Sequence, residues 1–353
     1  MQLVSNIKIT TTGHSKLDPD SAVHSFGQKV SDHMLICDYS DGDWNQPQIL
    51  PFGNLSMSPT TLALHYGQTV FEGIKAFATT DDKINIFRID KFYERFLKSL
   101  ERMCMPELPW EIFEDGICQL VNLDRRWVPH PSAGSLYIRP FMYATDEKFG
   151  VHISDNYRFI IFTGPVGDLY SAPLKVKVET KYIRAAKGGT GYSKCGGNYG
   201  GSLYPTRIAK SEGYDQILWT DAEHHQYIEE SGTMNVLFVI DGVLISPPVS
   251  ETIINGVTRD SLLVLAKDMG IPVQESPVSI ELLKQGFISN TLTEAFGAGT
   301  AAVIAPIALI SIEGTDYPLP GYNESSVSVR LKKKLKGIRT GVDEDAHGWN
   351  CLI

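Results

Sequence analysis

Nowhere in the 353 residues do roughly eighteen apolar positions follow one another, the length a bilayer span requires. The opening MQLVSNIKIT lacks the basic flank and apolar block of a secretory signal, so a cytoplasmic chain is expected. Cysteine is scarce: Cys37, Cys104, Cys118, Cys195 and Cys351 form neither a CxxC pair nor a Cys/His ligand set. That argues for reduced thiols and against a structural metal. Basic residues are outnumbered, 32 against 41, and the formal charge of −9 excludes a general nucleic-acid or anionic-membrane partner. A nucleotide loop of the form GxxxxGK[ST] is also missing, which weighs against a phosphate-binding regulator without chemistry.

What is present is ordinary globular composition, 42% hydrophobic and 21% charged, in a chain long enough for two domains. One stretch departs from it. Residues 187–201, KGGTGYSKCGGNYGG, are dense in glycine, which lets backbone approach a ligand closely. They carry one candidate nucleophile, Lys194, followed by Asn198 and Tyr199. A lysine amine attacks a carbonyl only when its site disfavours the ammonium form. Read alone, the stretch is equally a surface loop with an incidental lysine. A second stretch, YIEESGTMN (227–235), ends a strand-like run with Glu230, a carboxylate suited to holding a heterocyclic nitrogen protonated.

SKCGGNYGGS and EESGTMNVLF resemble the lysine and glutamate motifs of branched-chain amino acid aminotransferases, pyridoxal-phosphate enzymes of class IV. The similarity runs from about residue 33 to the C-terminus. It implies an α+β chain of fold type IV, with a smaller N-terminal α/β domain and a larger C-terminal domain built on a pseudo-barrel of strands. The expected division is 1–162, an interdomain loop 163–175, and 176–353. It implies pyridoxal 5′-phosphate as cofactor, and as small-molecule substrates leucine, isoleucine, valine, glutamate and 2-oxoglutarate. It also implies a homodimer. D-amino acid aminotransferase and aminodeoxychorismate lyase, which share the fold, are the alternatives.

Along the chain, residues 1 to about 32 read as an arm with little regular structure. HMLICDYSDGDW reads as a strand closed by an Asp41-Gly42 turn. Ile84–Phe87 alternates like a strand, and Asp90 can cap a helix with Phe92, Phe96, Leu100 and Met103 at helical spacing. Arg95 borders that stripe. It reads as an arginine snorkelling on an amphipathic helix, and by resemblance as the cofactor-phosphate arginine. Tyr66, Phe71 and Gly73 fall in HYGQTVFEG, which resembles the segment lining the substrate side-chain pocket, although aromatics there are equally core. Tyr137 and Arg139 are two apart on a strand-like run and share a face. The arginine needs an anion there, from an internal salt bridge or, as the family implies, from a substrate carboxylate.

Residues 163–174 resemble a loop whose Val166 and Tyr170 close over substrate, with Asp168 and Leu169 departing from the usual form. Arg184 matches an arginine supporting the cofactor, though a salt bridge explains it as well. Residues 254–270 form a glycine turn into an amphipathic helix, so the amides of Val257 and Thr258 can hold phosphate at its start, unless Thr258 simply caps it. In TEAFGAGTAAVIAP, Thr300 matches a further phosphate ligand, and the Thr300 and Ala301 amides match those holding the substrate α-carboxylate. Ala302 and Ala305 stand where mammalian relatives carry CxxC, so no thiol switch is expected at that place.

Overall fold

The computed structural model describes residues 6–17, 26–167 and 169–353, which gather into two compact units. Among these residues no helix is long and apolar enough to cross a membrane.

The first unit comprises Met1–Leu169, Ser193–Gly197 and Ile338–Ile353. Its spine is the antiparallel pair Ser135–Ala144 and Tyr157–Val166, bonded from Ser135↔Val166 to Ala144↔Tyr157. His33–Ser40 extends the sheet on one side, while Ile74–Ala78, Ile84–Phe87 and Asn350–Leu352 extend it on the other. Helices Ile89–Arg102 and Trp110–Leu123 bury Phe92, Phe96 and Leu100, and Ile112, Phe113, Ile117, Leu120 and Val121. Those stripes meet the sheet through rings: Phe96 lies 5.8 Å from both Phe113 and Phe159 between centroids. Such pairs add ~1 kcal/mol each beyond area burial.

Two local expectations change here. Arg88, in left-handed conformation at φ 54, occupies the N-cap of the first helix, and Asp90 sits inside its first turn. The preceding strand brings its backbone in at that angle, so an acidic residue at the second helical position meets the positive helix end instead of capping it. In the arm, Lys8–Ile9 pairs in parallel with Gln48–Ile49; residues 1–5 and 18–25 lie outside the described residues.

The expected cut at 163–175 gave everything after it to one domain. The structure keeps Thr163–Val166 as the end of a first-unit strand and returns Ser193–Gly197 and Ile338–Ile353 to that unit. The reason is hydrogen bonding: Val70 bridges Cys195, and Asn350–Leu352 pairs with Asn85–Phe87.

The second unit, Tyr170–Tyr192 with Asn198–Gly337, is built on a closed ring of six strands. Met234–Ile240 pairs with Leu292–Gly299, then Val303–Ile312, Leu174–Glu179, Gln216–Thr220 and Tyr227–Ser231, which pairs back to Met234–Ile240. Closure satisfies the backbone of every strand on both sides. Each residue of Met234–Ile240 is buried, and all but Asn235 are apolar. Helix Val257–Asp268 packs its Leu262, Leu265 and Ala266 inward.

Candidate active site

In the first unit, the Lys194 backbone is held at both ends. Ser99 Oγ accepts from its N–H at 2.9 Å, and its carbonyl accepts from Phe71 N–H at 3.0 Å. Lys194 Nζ lies 4.9 Å from the centre of the Phe71 ring. Arg139 meets the same ring, with its guanidinium carbon also 4.9 Å from that centre, and donates from Nη2 to the Tyr137 hydroxyl at 3.0 Å. Among the described residues Arg139 has no carboxylate partner, and its Nε is buried without a hydrogen bond. The internal salt bridge is therefore not the arrangement found.

Gly73 completes this group for a steric reason. A Cβ there would stand 2.0 Å from the Tyr137 hydroxyl. Val166, 2% exposed, ends its strand opposite Ser135. Tyr66 lies apart from these contacts: it is 43% exposed and its hydroxyl accepts from Gly150 N–H at 2.9 Å. Arg95 forms a fork with Glu72, through Nε–Oε1 and Nη2–Oε2 bonds of 2.7 Å each. The snorkelling reading fails, since the Glu72 side chain is wholly buried and that of Arg95 nearly so.

In the second unit, Glu230 accepts from Ile254 N–H at 2.7 Å and pairs with Arg184 Nε at 3.2 Å. Arg184 also donates to the carbonyls of Gly191 and Thr252. The arginine is thus buried against Glu230, not on the surface, and supplies the opposite charge a buried carboxylate needs. Thr190 and Asn198 lock the glycine-rich loop by two side-chain bonds, of 2.7 and 2.9 Å, and Tyr199 follows in the single turn Gly197–Gly200. Tyr170 accepts from Gln216 Nε2 at 3.2 Å, and burial pushes its phenol above the ordinary range. Asp168 lies outside the described residues.

Helix Val257–Asp268 starts from Gly256 and has no side-chain cap, so Thr258 is not the capping residue. Its first amides are left to a ligand or water. Thr300 and Ala301 form the turn between Leu292–Gly299 and Val303–Ile312.

The family described as amino-transferase class IV matches residues 69–310. A Bacillus subtilis protein, branched-chain-amino-acid aminotransferase 2, is 39% identical over 351 residues, covering 98% of this chain and 97% of that one. The chain belongs to the class IV aminotransferases. B. subtilis branched-chain-amino-acid transaminase 1 is 40% identical to this aminotransferase over 347 residues, 97% of this chain and 98% of its own. Among solved structures, the T.th. branched-chain amino acid aminotransferase with pyridoxamine 5′-phosphate superposes at TM-score 0.76 with 26% identity, over 92% of this chain and 99% of that one. The Escherichia coli enzyme gives 0.73 and 27%, over the same shares. The mixed architecture with its six-strand ring is the fold type IV arrangement.

The cofactor of this family is pyridoxal 5′-phosphate, and the aminotransferase has a donor set that fits one. The amides opening helix Val257–Asp268 lack a side-chain cap. Just before them Gly256 leaves no room for a side chain, since a Cβ would stand 1.9 Å from Asn235 Oδ1. Close packing of Gly256 on Asn235 sets where those uncapped amides stand, and uncapped helix N-terminal amides suit phosphate.

Several residues that position these groups escape sequence reading: Glu72, Ser99, Asn235, Thr252 and Glu229. Asn235, paired with Glu230 from the neighbouring strand, donates to Ile254 O at 3.0 Å and ties that strand to the loop that opens the helix. Thr252 donates to Glu229, whose carboxyl is pushed up by burial, against the Thr252 bond and Arg184. Of these, Glu229 and Asn235 lie in the same motif as Glu230.

Proposed function

We propose that this aminotransferase moves the amino group between branched-chain L-amino acids (leucine, isoleucine and valine) and 2-oxoglutarate by a two-stage, ping-pong route. The observation that carries this is the Phe71 ring shared at 4.9 Å by Lys194 and Arg139. A base and a carboxylate reader flank one apolar surface, so an aliphatic side chain and an acidic one each find a partner. Pyridoxal phosphate, when bound, supplies an electron-accepting ring for the electron pair released as the substrate's α-proton leaves.

The chain's own residues do the rest. Lys194 Nζ would hold the cofactor's aldehyde carbon and, as a neutral amine, would move the proton at the substrate's α-carbon. Glu230, backed by Arg184, keeps the ring nitrogen protonated. Tyr199 donates to the ring's phenolic oxygen. The amides of Val257 and Thr258, Thr300 and Arg95 hold the phosphate. The amides of Thr300 and Ala301 take the α-carboxylate. Arg139 and the Tyr137 hydroxyl bind the second carboxylate of glutamate, and Phe71, Gly73, Val166 and Tyr170 line the path of the aliphatic side chain.

A second copy completes the pocket in this reading. Tyr66 is held by Gly150, whose neighbours Phe149 and Val151 are each 83% exposed, an apolar tip suited to a partner of the same chain. Five free cysteines suit a reducing cytoplasm. Sedimentation should give a dimer.

Borohydride reduction of the holoenzyme followed by peptide mass mapping tests the assignment. Modification at Lys194 is the expected result, and modification at another lysine would overturn it. L-leucine should also turn over faster than D-alanine; the reverse order would sink the substrate claim.

A further inference from the structure

Arg339 lies near the end of helix Val327–Thr340 and is only 5% exposed. Its guanidinium carbon sits 4.4 Å from the Phe87 ring centre and 5.2 Å from that of Phe77. Its Nε is buried with no hydrogen-bond partner, and among the described residues no carboxylate is within ion-pair distance of it. The neighbouring charge it feels is of the same sign. Burial, followed by repulsion from Arg88, pulls its pKa down to about 9. Arg88 is itself 6% exposed and lies 4.9 Å from the Trp349 ring centre.

Two guanidinium groups are thus buried within a wall of three aromatic rings. Desolvating a cation costs several kcal/mol even after relaxation. Each ring face returns about 0.5–2 kcal/mol. Two faces leave the Arg339 charge under-compensated, and a guanidinium does not escape by losing its proton at neutral pH. Buried Arg259 shows the contrasting arrangement. Only 3% exposed, it is bound by Ser246, the Pro247 carbonyl and Glu275.

We propose that Arg339 binds a small monovalent inorganic anion of the chloride class. Monovalence follows from the surroundings, because stripping a doubly charged phosphate of water among Phe77 and Phe87 would cost more than the one Arg339 guanidinium returns. The site's position assigns it a structural role. Asn85 Nδ2 donates to the Arg339 carbonyl at 2.9 Å, Asn350 Nδ2 to the Ile338 carbonyl at 2.9 Å, and Arg88 N–H to the Trp349 carbonyl at 2.7 Å. These bonds fasten the C-terminal strand and the helix end to strand Ile84–Phe87, so an anion at Arg339 would stabilise that junction.

The test compares holoenzyme in sodium chloride and in sodium gluconate at constant ionic strength. The thermal midpoint should rise saturably with chloride, by about 3 °C once chloride exceeds its dissociation constant a hundredfold. Arg339→Met, which removes the buried charge and keeps the bulk, should lose that response. Crystals soaked in bromide should show an anomalous peak against the Arg339 guanidinium, a readout independent of the variant's folding. A wild-type midpoint indifferent to the anion, a response retained in the variant, or only water at the guanidinium would each overturn the site.

Discussion

Glu72 and Arg95 face one another through two parallel hydrogen bonds of 2.7 Å, with the Glu72 carboxylate sealed from solvent. The fork aims the arginine and neutralises part of its charge. Glu72→Ala strips the guanidinium of its buried carboxylate, and removing one member of such a pair costs ~3–5 kcal/mol. Urea denaturation should show that loss, together with weaker cofactor retention on dialysis. An unchanged midpoint would mean that the fork contributes nothing.

Gly73 packs directly against the hydroxyl of Tyr137, the proposed partner of Arg139 at the second carboxylate. In Gly73→Ala the new methyl must displace the Tyr137 hydroxyl, which stands 2.0 Å from its ideal position and bonds Arg139 at 3.0 Å. The KM for 2-oxoglutarate should rise about tenfold, with less effect on leucine, because one charge-assisted contact is misaligned. Equal effects on both substrates would detach Tyr137 from carboxylate recognition.

Gly256 gives a complementary test at the phosphate end. Gly256→Ala drives a Cβ to 1.9 Å from Asn235 Oδ1, so the helix start must shift. Cofactor affinity should fall by about tenfold or more, equivalent to ~1.4 kcal/mol, while kcat at saturating cofactor stays close to wild type. Equilibrium titration of the apoenzyme followed by ring absorbance measures this.

Asp146 governs an acid transition in the loop that carries Phe149 and Val151. Burial pushes its carboxyl up, but hydrogen bonds from Asn156, Asp155 N–H, His152 and Ser154 outweigh this and hold it at about 2. A pKa lowered by folding stabilises the protein above the unfolded value of 3.8, and that contribution disappears as the pH falls towards 2. It is worth up to ~2 kcal/mol. Asp146→Asn should therefore narrow the stability difference between pH 6 and pH 3, as read by urea midpoints.

Much of the site's inventory was legible because its signals are local. The lysine loop, the glutamate motif, the turn before Val257–Asp268 and the Tyr137/Arg139 face each depend on residues a few positions apart, and strand or helix periodicity places them. Asp90 misled because a cap depends on the angle at which the chain enters the helix, and composition does not carry that angle. Glu72 and Ser99 gave no signal, because the partners they serve, Arg95 and Lys194, lie 23 and 95 positions away. Glu229 stayed hidden beside the more conspicuous Glu230, since alternation alone cannot say which side of a strand faces a ligand.

Local pattern by itself singled out the lysine loop, the carboxylate and the glycine positions as candidates, since these follow from chemistry and backbone geometry over a few residues, and the family resemblance implied the α+β class. Tertiary structure alone decided that Ser193–Gly197 and Ile338–Ile353 join the first unit, that Arg184 supports Glu230, and that Arg139 is left without an acid among the described residues. Sheet register and long-range hydrogen bonds set those pairings. They are cooperative choices of the whole folded chain, in which each buried charge takes the partner that packing brings within reach.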